Sequence, residues 1–561
     1  MNKSRLLTRS SLSLLFLVIG WFIVAFILLP VVGVLREVFF AGGRFSFESF
    51  RKLFSSSRVV KSLTNTYLMT LCTIVTVNIV GIFQILVTEY FDVKGSKLLN
   101  IGFMTTLVYG GISLVSGYSF CYSPNGVITK LLASVIPGIN MDWFKGFAGV
   151  LFVHSFSLTS SHLLFVKTAF KKVDYSTIEA AKSLGGSNLN AFVNVALPIV
   201  KPSLFTATIL VALASMNSFA APSMIGGKNF YMINSMIQNL NSINRRDLAA
   251  LLSLILAVTC IVLLTVFRSI EQKGSYISVS KVPTKLKKIK IKNPIVNIII
   301  HALAYVIFLI YVMPIVMIFL FSFNNIANIT QGELSFRLTL ENYARVFSRS
   351  VVIKPFINSM RLSIIAVGIQ LMICVSSSLA IHKFKNKATT ILEYALLIPW
   401  ILPATLLIVG LISLYSLPSP LVFGQTLLGG FWLLPIAYAV GKIPSGMRLT
   451  RASLYQINHS QEEASRSLGA SSFYTFRKIL IPVITPTIIS IGAISFNGLL
   501  SEYTISALLY NVNNVPLGIV LRTPEMVPDP YAEASHLVFL VMLISISTIT
   551  LFATKKARNK M

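Results

Sequence analysis

The chain has 561 residues, of which 55% are hydrophobic and only 12% charged, and its mean hydropathy is +0.77. A soluble surface of that size needs far more charge, so the composition excludes a water-soluble globular protein and points to a bilayer. The formal charge of +30 would suit a nucleic-acid partner, but the densest basic run, Lys281 to Lys292, has no interleaved aromatics. It reads as a cytoplasmic linker facing anionic lipid headgroups, with no nucleic acid involved.

In chain order, about twelve runs have the roughly 20 apolar residues that a bilayer-crossing helix needs. They begin near Leu12, Asn65, Leu99, Gly146, Leu204, Leu248, Ile298, Ser359, Ile391, Thr426, Thr485 and His536. The first follows Lys3, Arg5 and Arg9 and continues from Ser11 to Leu35 without a small-residue cleavage site, so it is a span and not a secretory signal. With both termini cytoplasmic, most Lys and Arg fall on the inner side, as the positive-inside rule requires. Cys72, Cys121, Cys260 and Cys374 are widely spaced and form no paired motif, so neither a disulfide framework nor a metal site follows from them.

Two blocks recur in the same order. Phe45 to Phe54 matches Leu338 to Phe347 and continues from Val59-Val-Lys61 through Asn65 onto Val352-Ile-Lys354 through Asn358; Ser176 to Pro202 matches Ser460 to Pro486. Each half holds an even number of spans, so the repeats are parallel and the matching blocks face one compartment. The expected fold is all-α and polytopic, with residues 1–268 as a first six-span half (loop 174–202), 269–297 as a basic linker, and 298–561 as a second half (loop 458–486).

The second block reads Ser176-Thr-Ile-Glu179-Ala180-Ala181-Lys-Ser-Leu-Gly185 and, later, Leu197-Pro198; its copy reads Ser460-Gln-Glu-Glu463-Ala464-Ser465-Arg-Ser-Leu468-Gly469 and Ile481-Pro482. Ser followed three residues later by Glu is a capping box, so a short helix should begin at Ser176 and at Ser460. The small residues leave room for another surface, Gly185 and Gly469 end the helix, and Pro198 and Pro482 should mark the next span.

This pattern resembles the EAA loop of bacterial ABC-importer permeases. The resemblance implies a type I importer permease fold. It also implies that Glu179, Ala180, Ala181, Gly185, Leu197, Pro198, Glu463, Ala464, Gly469, Ile481 and Pro482 dock an ATP-binding subunit and couple it to the spans. Ser465 departs from the usual Ala but stays small. No phosphate-binding loop occurs, since Gly227-Lys228 and Gly441-Lys442 lack the required neighbours. ATP and magnesium are then used by two copies of a separate subunit and no cofactor is bound by this chain, which is not itself an enzyme. The external segments are short, the longest near Asn324 to Lys354, so an extracellular or periplasmic solute-binding protein is implied.

An ionisable group at the bilayer centre costs roughly 3 kcal/mol, and such groups point to a route. Glu502 lies toward the outer part of the eleventh span, opposite Ser218 in the repeat, while His154 and His162 sit about 80° apart on one helix. These could line a path or serve helix–helix hydrogen bonds. Glu393, near a cytoplasmic end, should be solvated. Phe219-Ala-Ala-Pro222-Ser-Met-Ile-Gly226-Gly227 and Leu500-Ser-Glu502-Tyr503 look like the ferric-iron permeases of bacterial inner membranes, and carboxylate and phenolate oxygens suit a hard cation. Fused permeases for thiamine and 2-aminoethylphosphonate look similar, polyamine and sulfate permeases share the core, and a secondary transporter shares the topology.

Overall fold

Repeated sequence produces repeated helices in a computed structural model, which describes residues 16–40, 43–171, 173–186, 190, 192–272, 288–384, 386–455, 463–465 and 467–559. The long helices are α1 (Phe16–Phe39), α2 (Ser57–Tyr90), α3 (the bent pair Ser96–Leu107 and Gly111–Val135), α4 (Gly146–Phe170), α5 (Phe192–Met216) and α6 (Arg246–Phe267). The second set comprises α7 (Pro294–Ser322), α8 (Ser350–Lys383), α9 (the bent pair Lys387–Ile401 and Ala404–Tyr415), α10 (Leu433–Tyr455), α11 (Arg477–Leu500) and α12 (Ala532–Thr554). Nine of these are each long and apolar enough to cross a membrane, and the two bent pairs pass the same test together. The remaining one, α10, has 23 residues, long enough at about 1.5 Å per residue, but carries Lys442, Arg448 and Arg451.

Three expectations need correction. The third and ninth runs are not straight but turn through 118° and 105°. Gly111 takes a left-handed backbone at φ +61°, and Pro403 holds Leu402 extended, so neither helix can continue. The tenth run begins at Leu433, not Thr426, because the preceding turn holds Gly429 at φ +81°. Finally, Pro198 and Pro482 do not open their spans. The helix is already running at Phe192 and Phe476 as one turn of π-helix, Phe192–Ala196 and Phe476–Leu480. A proline lacks the amide that would bond four residues back, and its ring crowds that carbonyl; a wider turn just ahead of it accommodates both.

The first helix of each half packs on the other half. From α1, Ala25 O accepts the Tyr415 hydroxyl at 2.9 Å, Trp21 Nε1 donates to Leu421 O at 3.0 Å, and Glu37 Oε2 accepts from Ser413 at 3.0 Å. In return α7 lies against the first half: Tyr311 and Thr159 hydroxyls are 2.6 Å apart, and Tyr305 donates to Lys94 O at 2.9 Å. The end of the basic linker follows suit. Ile289 forms a parallel bridge with Phe91, donating to Tyr90 O at 2.9 Å and accepting from Asp92 N at 3.0 Å.

Outside the spans the repeat is equally visible. Two eight-residue helices, Glu48–Ser55 and Glu341–Ser348, precede α2 and α8, each with an ion pair one turn apart, Glu48–Lys52 at 2.6 Å and Glu341–Arg345 at 3.1 Å. The stretches 217–245 and 501–531, expected to be short connections, fold back into the bundle as short buried helices that include Ile233–Ser242 and Leu517–Arg522. Matching residues hold them. Asn65 Nδ2 donates to Tyr231 O at 3.0 Å and Asn358 Nδ2 to Val515 O at 3.1 Å. The hydroxyls of Thr66 and Ser359 accept from Ile233 N and Leu517 N at 2.9 and 2.8 Å.

Candidate functional site

The first repeated loop forms a helix, Tyr175–Ser183. It starts one residue before the expected Ser176, because Asp174 Oδ1 accepts the Ser176 amide at 3.1 Å and Asp174 O accepts the Thr177 hydroxyl at 2.7 Å. A carboxylate placed there satisfies an otherwise unpaired first-turn amide, which is the service that the Ser176–Glu179 box was expected to provide. Ser460 lies outside the described residues, so its copy of the box does too.

The ends of the two loops match closely. Gly185 and Gly469 adopt φ +87° and +78°. The next amide in each, Gly186 and Ala470, reaches back to Ala181 O and Ser465 O at 3.0 and 3.1 Å. This is the hydrogen bond of a Schellman turn, which a left-handed glycine permits. Its consequence is that the residue before each glycine is turned outward: Leu184 and Leu468 are 89% and 87% exposed. Glu179, Ala180, Glu463 and Ala464 are exposed as well.

The opposite faces are anchored. Ile178 is fully buried with Tyr90, Phe170, Val173, Val200 and the linker residue Ile289, and Ala181 packs at the edge of this cluster. In the second copy Ser465 is buried, its hydroxyl 2.8 Å from that of Thr475. The departure from Ala at this position therefore adds a hydrogen bond. Leu197, Pro198, Ile481 and Pro482 sit in the turn of α5 and α11 that directly follows the π-turns. Each loop thus presents a polar and small-residue surface to solvent, while the other face of the first is packed on the helices and that of the second is tied to Thr475, just ahead of α11.

Of the four candidate pathway residues, His154 and Ser218 bond to one another within the first half, and Tyr503 reaches across to the other half. His154 Nε2 lies 2.8 Å from the Ser218 hydroxyl, and its Nδ1 lies 3.2 Å from that of Thr73. His162 Nε2 lies 3.1 Å from Asn78 Oδ1. Both histidines therefore tie helices together, the second of the two uses anticipated for them. Glu502 lies just past the end of α11. Its carboxylate accepts from Ile505 N at 2.9 Å and Ser506 N at 3.0 Å, and from the Ser506 hydroxyl at 3.2 Å, capping the short helix Ser506–Leu509. Tyr503 stacks on Phe219, its repeat partner, with ring centroids 5.1 Å apart. Among the described residues no group of three or more His, Cys, Asp or Glu could hold a metal ion.

Two features were not anticipated. Glu393, expected to be solvated, pairs with Arg451. Lys442, on α10, places its ammonium beside Gly498 of α11: a Cβ built on that glycine would sit 3.0 Å from Nζ. A lone lysine in a Gly- and Pro-containing run carries little sequence signal, and only the approach of Gly498 reveals where it points.

The family described as the binding-protein-dependent transport system inner membrane component matches residues 2–273 and 372–556. A probable ABC transporter permease protein of Sinorhizobium fredii is 40% identical over 557 residues, covering 99% of this chain and 98% of that protein. An Fe(3+)-transport system permease protein of Haemophilus influenzae is 25% identical over 509 residues, 89% of this chain and 90% of that one. A putative 2-aminoethylphosphonate transport system permease protein of Salmonella typhi is 24% identical over 201 residues, 35% of this chain and 69% of that one. With both repeats matched and nearly the whole length aligned, the chain belongs to the binding-protein-dependent ABC transporter permeases and is a double-length member of that family.

Proposed function

We propose that this chain supplies the whole membrane pathway of an importer, driven by two copies of a separate ATP-binding subunit on the cytoplasmic side and fed by a solute-binding protein on the other. The observation that carries this reading is the pair of inner loops. Each ends in the same turn and exposes the same leucine, and the reverse face of the first is packed on the spans while Ser465 of the second bonds to Thr475 just ahead of α11. Such a loop can accept a push from a docked subunit and pass it to α5 and α11 through Leu197, Pro198, Ile481 and Pro482. Changing Glu179 and Glu463 together to Lys tests it. The chain should remain in the membrane while uptake falls to background; unchanged uptake would sink the coupling role.

For the solute, ferric iron is the first reading. It rests on the ferric permeases among the relatives, which align along most of the chain, and on the Glu502 and Tyr503 motif. A second reading, 2-aminoethylphosphonate, draws on one specific observation, the lysine ammonium beside Gly498, which suits an anionic group better than a bare cation. The ligand of the binding protein that serves this chain decides between them: tight binding of ferric ion supports the first, and binding of the phosphonate alone overturns it.

A further inference from the structure

The three cations of α10 are treated differently by their surroundings. Arg451 pairs with Glu393, and Arg448 lies over the Trp400 ring, 4.3 Å from its centroid. Lys442, near the middle of the helix, has neither arrangement. Among the described residues its ammonium donates to no acceptor and makes no salt bridge; only the charge of Glu502 reaches it. Both Glu502 oxygens are already occupied by the Ile505 and Ser506 amides and the Ser506 hydroxyl. A mid-span lysine is costly and is retained where it meets a partner, so the missing partner is the informative feature.

The position of the ammonium says what that partner is. It abuts Gly498, which is exposed, as is Ala214 at the matching place on α5. Just past the end of each helix come Ser218 and Glu502, and next to these Phe219 stacks on Tyr503. By the offset of the second repeated block the residue matching Lys442 is Leu158, so this cation has no counterpart in the first half; Arg522, another cation near the Phe219–Tyr503 stack, donates to Ser223 O at 3.3 Å.

We propose that Lys442 is the charge-selecting residue of the translocation route and takes an oxyanion group of the solute, either an oxyanion that is itself the cargo or one that ligates a transported ferric ion. This rests on reading the chain as the permease. A fixed cation that has no partner of its own attracts anionic groups and strongly disfavours an unligated trivalent ion.

The test uses the purified full chain with Cys72, the one native thiol that is not buried, replaced by Ser, and with Ala214→Cys as reporter. Methanethiosulfonates bearing a sulfonate or a trimethylammonium group are compared for their rate at that cysteine. The sulfonate should be favoured, and Lys442→Met should lower the sulfonate-to-ammonium rate ratio about tenfold, while Lys442→Arg keeps it. An unchanged ratio in Lys442→Met, or a cysteine that neither reagent reaches, overturns the proposal. Cells carrying the complete transporter distinguish the two sources. A roughly tenfold fall in ferric citrate uptake on Lys442→Met assigns the oxyanion to the ligands of iron, and the same fall in 2-aminoethylphosphonate uptake assigns it to the cargo. Undiminished uptake of the solute that the unaltered chain carries overturns it. Failure of the permease reading has a different signature: unchanged uptake in Glu179→Lys with Glu463→Lys, whatever Lys442 does.

Discussion

Phe219 and Tyr503 occupy the same place in the two repeats and stack on one another, ring centroids 5.1 Å apart and planes inclined by 19°. Two equivalent residues can touch only where the relation between the halves brings them to a common axis, so this pair marks the centre of the molecule. Both rings are buried, and removing either should cost about 3 kcal/mol of stability, with about 1 kcal/mol of the pair lost only once. Thermal unfolding in detergent of Phe219→Ala, Tyr503→Ala and the double variant measures this. Strict additivity would show that the stack contributes nothing beyond the burial of each ring.

The amide clamps make a prediction that depends on the repeat itself. Asn65 and Asn358 donate to the backbone of equivalent segments at 3.0 and 3.1 Å. Replacing either by Leu leaves a carbonyl without its donor, at a cost of about 1–3 kcal/mol. The two single variants should lose similar stability, within about 0.5 kcal/mol of each other, and the double variant should lose their sum, since they hold different segments. Markedly unequal losses would mean that the halves differ in how firmly their outer segments are held.

These two relationships were partly legible in the sequence. The matching blocks located Asn65 and Asn358, and pairing Ser218 with Glu502 by offset implied that Phe219 pairs with Tyr503. What no offset could reveal was contact. The exchange of α1 and α7 between halves depends on which apolar surface is covered by which helix, and Leu- and Val-rich faces do not name their partners. The folding back of 217–245 and 501–531 was hidden for a related reason: helices as short as Ala220–Ile225 give no usable period. The inner loops were legible because chemistry at fixed spacing, with a glycine that must be left-handed, leaves few alternatives. Even there Asp174 took over the cap, a competition between neighbouring polar side chains that spacing alone does not decide.

The exposed leucines offer a sharper probe of docking than the glutamates. Leu184 and Leu468 are held outward by the Schellman turns and touch little of their own chain. Changing both to Asp should therefore leave the unfolding temperature of the isolated chain within about 1 °C, surface changes away from special contacts being worth within about 0.5 kcal/mol. Co-purification of the ATP-binding subunit should fall at least tenfold, as expected when apolar side chains at the centre of an interface become charged, at about 1.4 kcal/mol per factor of ten. Retained co-purification would move the docking surface elsewhere.

Gly410 tests the exchange of first helices. It lies in the second arm of α9 where α1 crosses it, and a Cβ there would come 2.0 Å from Pro30 O and 2.9 Å from Pro30 Cα. Those are backbone atoms, so no side-chain rotation relieves the clash and α1 must move away from α9. Gly410→Ala should therefore destabilise the chain by about 2–3 kcal/mol, against the roughly 1 kcal/mol that alanine otherwise gains over glycine within a helix. Gly368, a helical glycine in α8 with nothing within 4 Å of the built Cβ, supplies the control: Gly368→Ala should be neutral or stabilising. The Tyr415 to Ala25 and Trp21 to Leu421 hydrogen bonds lie along the same contact, so Gly410→Ala should also increase the quenching of Trp21, already 41% exposed, while Gly368→Ala does not. If Gly410→Ala leaves both stability and Trp21 quenching unchanged, the close approach of Pro30 to α9 is not part of the folded protein.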